Sequence, residues 1–211
     1  MYPNLIEIGG ITITTFGVMM FLSFISAAWL LAKQLERRNM DPEFAWDVLF
    51  WVAIGGILGA KGYYLALHWQ DLVADPIGQI FSRGGLVWYG GLIGGVLAYY
   101  WQARSKGPPL GLAFDSTAPA LMFAYAVGRM GCFLVGDDYG LPTDSWVGIA
   151  FPQGAPPSTA GYLRAAGAEV PMSIPDSAVL TVHPTQLYEV GAALILFAIL
   201  WKVSARNLRP G

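Results

Sequence analysis

The sequence has 211 residues, of which 55% are hydrophobic and only 12% are charged, with a mean hydropathy of +0.50. This composition excludes an ordinary soluble domain and indicates an integral membrane protein. The net charge is −2 without a basic cluster, which argues against nucleic acid as a partner, and a single cysteine, Cys132, excludes an intramolecular disulfide. The length suits one bundle of about five or six spans, so we expect one transmembrane domain over residues 1–211.

The apolar runs predict an all-α membrane protein with about five transmembrane helices. The residues before the first run include Glu7 but no Lys or Arg, so they lack the basic region of a signal peptide and the run is expected to remain as a span. The predicted spans are 11–32, 46–69, 86–101, 118–135 and 184–203. The connection 136–182 contains too much Pro and Gly to cross a membrane, and we expect it to form an outer cap that includes Trp146 and Phe151.

Spans two and three are both rich in glycine, which lets neighbouring helix backbones approach closely. The glycines are Gly55, Gly56, Gly59 and Gly62 in span two, and Gly90, Gly91, Gly94 and Gly95 in span three. Helical spacing places Lys61, Tyr64 and His68 on one face of span two. Tyr89 begins span three, where an aromatic-belt role and a chemical role both stay open.

The least favourable residue for a membrane is Arg129, which lies inside the apolar run of span four. A central Arg costs about 2.5 to 3.5 kcal/mol on insertion scales, so it either snorkels to the interface or serves a function. Spacings of four and three residues place Tyr125, Arg129 and Cys132 on one helix face, and Asp137 and Asp138 follow at the helix end. Cys132 itself is expected to be a small buried hydrophobe rather than a reactive thiol.

Span five begins with the polar side chains of His183, Gln186 and Glu189. A carboxylate several residues inside a span needs a partner, and Arg129 and Lys61 are the candidates for Glu189. For His183, an interfacial cap before the first helical turn and a role as a base both stay open.

Lys and Arg collect on one side of the predicted spans, which predicts the orientation. That side holds Lys33, Arg37, Arg38, Arg104, Lys106, Lys202, Arg206 and Arg209, whereas the other side holds Arg83 and Arg164. The amino terminus is therefore expected outside, the carboxyl terminus inside and the connection 136–182 outside. This orientation brings Arg129 and Lys61 toward the outer half of the bundle, where they could bind the phosphate of an anionic phospholipid.

Four ordered motifs resemble one family, the bacterial prolipoprotein diacylglyceryl transferases. GAKGYYLALHW is similar to the family's Gly-Arg-Ile-Gly-Tyr segment, and DP followed by GGLVWYGGLIGG is similar to its Asp-Pro and Gly-Gly-x-x-x-His-Gly-Gly-Leu run. VGRMGCFLVGDDYG resembles its signature Gly-Arg-x-Gly-Asn-Phe-x-Asn-Gly-Glu-x-x-Gly, and HPTQLYE resembles His-Pro-Ser-Gln-Leu-Tyr-Glu. The resemblance covers most of the chain.

The resemblance implies a multi-pass enzyme of the bacterial inner membrane. Its substrates are then phosphatidylglycerol, which donates the diacylglyceryl group, and the signal peptide of a lipoprotein precursor, whose lipobox cysteine thiol receives it, with release of glycerol phosphate. Arg129 and Glu189 carry over from the family motifs, together with Asp137, His183 and Gln186. The sequence departs from the family at five positions, Lys61 for Arg, Tyr89 for His, Cys132 for Asn, Val135 for Asn and Asp137 for Glu, and it ends where the family usually continues through two more spans.

The chemistry of such a transfer assigns roles to these residues. Stabilising a leaving phosphate requires preorganised cations, for which Arg129 comes first and Lys61 second. Deprotonating a nucleophile requires a base, for which His183, Asp137 and Tyr89 are the candidates. The predicted substrate-binding residues are Lys61, Glu189, Gln186, Tyr64, Gly90 and Gly91, and no metal or cofactor is expected. A lipid-binding relative without catalytic activity remains an alternative, and a small transporter is disfavoured because no inverted repeat is visible.

Overall fold

The computed structural model describes residues 3–9, 11–82 and 85–204, which are helical apart from two short antiparallel strand pairs, β1–β2 and β3–β4. The helices are α1 (Thr15–Arg37), α2 (Glu43–Leu67), α3 (Trp69–Ala74), α4 (Pro76–Phe81), α5 (Trp88–Lys106), α6 (Leu110–Val135), α7 (Ala160–Ala165) and α8 (Thr185–Ser204). The strands are β1 (Asn4–Ile8), β2 (Ile11–Thr14), β3 (Ile149–Ala150) and β4 (Thr181–Val182).

Within the described ranges, four helices are long and apolar enough to cross a membrane: α1, α2, α6 and α8. Only 6% of the most apolar stretch of α2, and of that of α8, is buried inside the protein, so lipid has to cover the remainder. These helices confirm the prediction of an all-α membrane protein. The predicted third span corresponds to α5, which has 19 residues and is not among the four.

The first predicted span starts too early, because residues 11–14 form strand β2 and α1 begins only at Thr15. Alternating β-branched residues in ITIT favour a strand over a helix, and Gly9, with a left-handed φ of 57°, suits the turn before it. Counted as hydrophobic residues, Ile11 and Ile13 simply extended the apolar run. The periodicity of two, rather than the hydropathy, marks the hairpin.

Two other boundaries differ from the predictions. Helix α6 begins at Leu110, ahead of the predicted start at residue 118, and continues through Pro119, whereas α2 ends at Leu67 and two short helices follow. The additional residues 110–117 include the charged Asp115. A helix can continue beyond the bilayer into water, where a charged side chain is tolerated. Arg83, Arg206 and Arg209, used to predict the orientation, lie outside the described residues.

The described residues divide into two compact units according to their internal contacts. That residues 1–211 form one transmembrane domain stays a prediction. Residues 28–118 form one, which we call the helix-pair unit, and the residues up to 27 together with those from 119 form the other, which we call the cap unit. Helices α1 and α6 contribute residues to both.

The helix-pair unit is built on the contact between α2 and α5, where glycines face each other. A Cβ added to Gly59 would lie 2.3 Å from the carbonyl oxygen of Gly90, and one added to Gly94 would lie 2.1 Å from that of Gly55. Any side chain larger than hydrogen would push the two backbones apart. The predicted close approach of a neighbouring backbone to the glycines of span two is therefore confirmed, and the neighbour is α5.

The cap unit places the end of α6 against the first half of α1. The Ser23 hydroxyl donates to the Ala124 carbonyl at 2.7 Å, and a Cβ added to Gly131 would lie 2.8 Å from the Cβ of Met19. The aromatic rings of Phe123 and Phe197 also bring α6 and α8 together, with 5.2 Å between centroids. These contacts fix the helix segments that carry the polar residues of the site.

The connection 136–182 folds around a small core of its own, and we call this segment the cap; its predicted place on the outer side stays a prediction. Its core consists of Phe151, Ala160, Leu163, Val170 and Val182. Arg164 fastens the following loop by donating to the carbonyls of Pro171 and Ile174 and to the Asp176 carboxylate. Phe151 lies in this core, whereas Trp146, which belongs to the same connection, is 95% exposed.

Candidate functional site

The site begins where α6 ends. Gly136 has a left-handed φ of 78° and donates its N–H to the Cys132 carbonyl at 2.8 Å, which is a common way for a helix to stop. Asp138 is a non-glycine residue that is also left-handed, with φ 52°. These two turns reverse the chain, so that the acidic pair folds back beside the last helical turns.

Arg129 lies at the centre of the polar cluster, with only 15% of its side chain exposed. Its Nη2 donates to Glu189 Oε1 at 2.8 Å, and its Nη1 donates to Asp138 Oδ2 at 3.0 Å. The Cys132 sulfur lies 3.5 Å from Nη1, as the predicted shared helix face requires. The buried Nε has no hydrogen-bond partner among the described residues, so the guanidinium is not fully used.

Glu189, on α8, is held in place by two residues of α6. Its Oε1 accepts from Arg129, while its Oε2 accepts a hydrogen bond from the Tyr125 hydroxyl. Tyr125 and Arg129 are four residues apart on α6, so both reach the same carboxylate on α8. Of the two partners predicted for Glu189, the structure selects Arg129.

A second layer lies behind this pair. Gln186 is fully buried at the start of α8, and its Nε2 donates to the Asp137 carbonyl. Asp137 Oδ1 and Gln186 Oε1 are buried without a partner in the described part of the chain. Burial raises the pKa of the Asp137 carboxyl, and the neighbouring Cys132 thiol opposes the shift without cancelling it. A carboxyl with a raised pKa is better suited to exchange a proton near neutral pH.

The residues around His183 bind the acidic turn to α8. The Thr185 hydroxyl donates to the Asp138 carbonyl at 2.7 Å, and Gly140 N–H donates to the His183 carbonyl at 2.9 Å. His183 Nδ1 lies 3.1 Å from the Tyr188 hydroxyl. The backbone of this segment is therefore fixed on both sides, whereas the His183 ring contacts Tyr188 rather than Arg129.

An open groove of about 500 Å³ adjoins the acidic turn within the cap unit. It is lined by Asp137, Asp138, Tyr139, Gly140, Leu141, Ala155, Pro156, Tyr162, Leu163, Ala166 and Ala168. The Tyr139 hydroxyl donates to the Pro156 carbonyl at 3.0 Å, and burial raises the pKa of Tyr139 to about 12, so its phenol stays neutral. The groove thus combines two carboxylates with a largely small and apolar wall.

The other predicted site residues belong to the helix-pair unit. Lys61 Nζ donates to Ser82 Oγ at 2.8 Å and lies 5.3 Å from the centroid of the Tyr64 ring, which stacks on His68. This confirms the predicted shared face of Lys61, Tyr64 and His68. Tyr89 is exposed, with its ring against Trp88.

For two predicted substrate-binding glycines the structure shows a packing contact. Gly90 lies against the Gly59 backbone, and a Cβ on Gly91 would come within 3.4 Å of the Gly56 carbonyl oxygen. A role of Gly90 and Gly91 in binding substrate stays a prediction, as does a shared site for Lys61 and Arg129.

Two residues of the centre were missing from the predicted site. Asp138 pairs with Arg129, although only its neighbour Asp137 was selected, and Tyr125 binds Glu189. The helical spacing already pointed to Tyr125. Nothing in the sequence distinguishes the two aspartates, because the left-handed turn at Asp138 decides which carboxylate reaches Arg129.

A metal site is one possible use of the acidic cluster. Candidate ligand atoms of Cys132, Asp137 and Asp138 all lie within 4.8 Å of one another. However, Asp138 already binds the Arg129 guanidinium, and a cation beside that guanidinium would be repelled. The donor set therefore fits a metal poorly.

Comparison with known proteins supplies the remaining observation. The profile of the prolipoprotein diacylglyceryl transferase family matches residues 3–211. The chain belongs to this family. Similar relatives, each called phosphatidylglycerol–prolipoprotein diacylglyceryl transferase, come from Gloeobacter violaceus (28% identical, covering 99% of this chain and 73% of the relative), Pseudoalteromonas atlantica (31%, 99% and 67%) and Pseudomonas paraeruginosa (32%, 99% and 71%).

Membership of the prolipoprotein diacylglyceryl transferase family fits the geometry of the site. The segment 127–140, whose resemblance to the family signature is the most detailed, contains both Arg129 and the turn that brings Asp138 to it. The segment 183–189 contributes Glu189 from the other side of the same pair. Two motifs that are far apart in sequence therefore build one charged centre.

Proposed function

We propose that this chain transfers the diacylglyceryl group of phosphatidylglycerol to the lipobox cysteine thiol of a lipoprotein precursor. In this reaction a carbon–sulfur bond forms, the bond between the glyceryl carbon and the phosphate oxygen breaks, and glycerol phosphate leaves. The names of the relatives support the reaction type. The observation that carries the proposal is the Arg129 guanidinium, largely buried near the end of an apolar helix and oriented by Glu189.

Arg129 is placed to stabilise the leaving phosphate. The charge on the leaving group grows as its bond to the glyceryl carbon breaks, and a fixed cation in a low-dielectric site stabilises that charge without reorganising. Glu189 holds the guanidinium through Nη2, and Tyr125 holds Glu189. The cation is therefore preorganised before lipid arrives. Lys61 is proposed as a second cation.

The acceptor thiol must lose its proton to a base. Asp137 is our first candidate, because its pKa is raised and it borders the groove, and His183 and Tyr89 remain the others. We propose that the groove of the cap receives the acceptor polypeptide. Deleting part of residues 152–178 should then abolish transfer while the spans stay folded, and unchanged transfer would contradict this.

The proposed setting is the bacterial inner membrane, crossed by α1, α2, α5, α6 and α8 with the amino terminus outside. Lys33, Arg104 and Lys202 would then lie on the cytoplasmic side, and the cap with Arg164 outside, in agreement with the positive-inside rule. Cysteine labelling at engineered positions in the cap and in the loop between α5 and α6 would test this orientation. Labelling of both from the same side would contradict it.

A second function has one observation in its favour. Both terminal nitrogens of Arg129 are already engaged by carboxylates, which would also suit a structural pair in a lipid-binding relative without catalytic activity. Such a protein would bind phosphatidylglycerol without converting it.

The experiment that separates the two uses purified protein in micelles, phosphatidylglycerol labelled in its acyl chains, and a peptide containing a lipobox cysteine. The transferase should increase the peptide mass by one labelled diacylglyceryl group. A peptide with alanine in place of the cysteine should stay unchanged. Lipid binding without any mass increase would favour the second function.

A further inference from the structure

The charges around Arg129 do not balance. One guanidinium faces the carboxylates of Asp138 and Glu189, and Asp137 lies beside them. A phosphate that approaches this centre meets more negative than positive charge. An anionic ligand can therefore bind Arg129 only if a carboxylate moves away.

The two carboxylates bound to Arg129 are held very differently. Glu189 is 39% exposed, and its second oxygen is fixed by Tyr125. The Asp138 side chain is 67% exposed. Among the described residues, its carboxylate contacts only Arg129 and, at 4.0 Å, the Cys132 sulfur. Asp138 is thus the weaker of the two partners.

The backbone of Asp138 is fixed even though its side chain is not. Its carbonyl accepts from the Thr185 hydroxyl at 2.7 Å, and its left-handed φ of 52° belongs to the turn that follows α6. Asp138 also borders the open groove, so its side chain can rotate into free space without disturbing the chain.

We propose that Asp138 is a displaceable counter-ion that selects for a phosphate anion at Arg129. The carboxylate occupies Nη1 in the absence of ligand, and the phosphate of the donor replaces it there while Glu189 stays on Nη2. A neutral ligand gains nothing by this exchange, because it brings no negative charge to replace the carboxylate at Nη1. This inference rests on the proposed function and deepens it, since it names Asp138 as the group that the phosphate displaces from Arg129.

The proposal predicts that removing the carboxylate strengthens binding, whereas removing a structural or catalytic group would weaken it.

The test measures lipid affinity rather than turnover. Asp138→Asn keeps the size of the side chain and tolerates a left-handed backbone, and Asp138→Gly removes the side chain at a φ that glycine adopts freely. Both variants should bind short-chain phosphatidylglycerol about two- to fivefold more tightly, as expected from the coupling of an exposed ion pair. Short-chain diacylglycerol, which lacks the phosphate, should bind them as it binds the wild type. Glycerol phosphate serves as the free anion. If the Asp138 variants also bind it more tightly than the wild type, by the same factor, the phosphate group alone is recognised.

Asp176→Asn is the matched control. Asp176 is also an exposed aspartate paired with a largely buried arginine, Arg164, but it lies elsewhere in the cap. Its removal should leave the affinity for phosphatidylglycerol unchanged.

Unchanged or weaker binding by both Asp138 variants, in folded protein, overturns the proposal. Tightening by Asp176→Asn as well would also overturn it, because the effect would then be one of overall charge. If the wild type shows no transfer but the Asp138 variants bind phosphate more tightly, the proposed function fails and this inference stands. If the wild type transfers the diacylglyceryl group but the Asp138 variants do not bind phosphatidylglycerol more tightly, the inference fails and the proposed function stands.

Discussion

The Arg129–Glu189 pair should be coupled more strongly than an exposed pair of the same length. The distance from Arg129 Nη2 to Glu189 Oε1 is 2.8 Å, and so is the distance from Lys33 Nζ to Glu36 Oε2. Because the two distances are equal, a difference in coupling energy between the pairs reflects how far each pair is buried. Lys33 and Glu36 are both about half exposed, whereas Arg129 is largely buried.

The expected magnitudes follow from this difference. An exposed pair within one helix contributes about 0.3 to 0.5 kcal/mol. A hydrogen bond between charged groups contributes about 1.5 to 3 kcal/mol when it is well shielded. Because Glu189 is more than a third exposed, we reduce this to about 1 to 2 kcal/mol for the Arg129–Glu189 coupling.

A double-mutant cycle measures both couplings. Arg129→Gln and Glu189→Gln form one cycle, Lys33→Gln and Glu36→Gln form the other, and the free energy of unfolding is followed in detergent. The Arg129–Glu189 coupling should exceed the control by about twofold or more. A coupling no larger than that of Lys33–Glu36 would refute the view that Glu189 fixes the guanidinium.

Three further predictions concern the surroundings of the site. Burial raises the pKa of the Asp137 carboxyl in the folded protein, so folding disfavours its ionised form. The stability that depends on the protonated carboxyl is present below the unfolded pKa of about 3.9 and is lost as the pH rises through the raised pKa of the folded protein. Asp137→Asn should therefore gain stability over the wild type as pH rises from about 4 to 7, and melting curves with a constant difference would exclude this. Gly59→Ala should destabilise the α2–α5 contact by about 1 to 3 kcal/mol, whereas Gly62→Ala, whose added Cβ meets nothing within 4 Å, should not; equal melting temperatures would contradict the packing role. Phe151→Ala should destabilise the cap by about 3 to 5 kcal/mol, and Trp146→Ala should change stability by less than about 0.5 kcal/mol, as measured by proteolysis of the cap. Similar protease sensitivity of the two variants would show that Phe151 does not hold the cap together.

Residue spacing alone predicted much of the site. The face shared by Tyr125, Arg129 and Cys132 follows from helical periodicity. A carboxylate inside a span predicted a charged partner for Glu189, and Arg129 was one of the two candidates. The glycines of spans two and three predicted a close helix contact for the same local reason.

The remaining features depend on backbone geometry that spacing does not encode. Left-handed turns at Gly136 and Asp138 decide which aspartate reaches Arg129, and the sequence DD carries no sign of the choice. Hydropathy counted the strand β2 as part of the first span because a strand and a span are both apolar. The sequence places both Trp146 and Phe151 in the cap, but only the folded chain shows that Phe151 is buried and Trp146 exposed.

The most direct test of the proposed mechanism is turnover of labelled phosphatidylglycerol by Arg129→Ala. The comparison needs equal amounts of folded protein, with Arg129→Lys, Cys132→Ala and Tyr89→Phe measured beside it. Loss of the stabilising donor typically costs about 2.7 to 4 kcal/mol, on the order of a hundredfold to a thousandfold in rate. Arg129→Lys should also lose much of the rate, since an ammonium cannot hold Glu189 and phosphate with one planar fork. Cys132→Ala and Tyr89→Phe should have smaller effects. Near-normal turnover by folded Arg129→Ala protein would contradict the central role of Arg129.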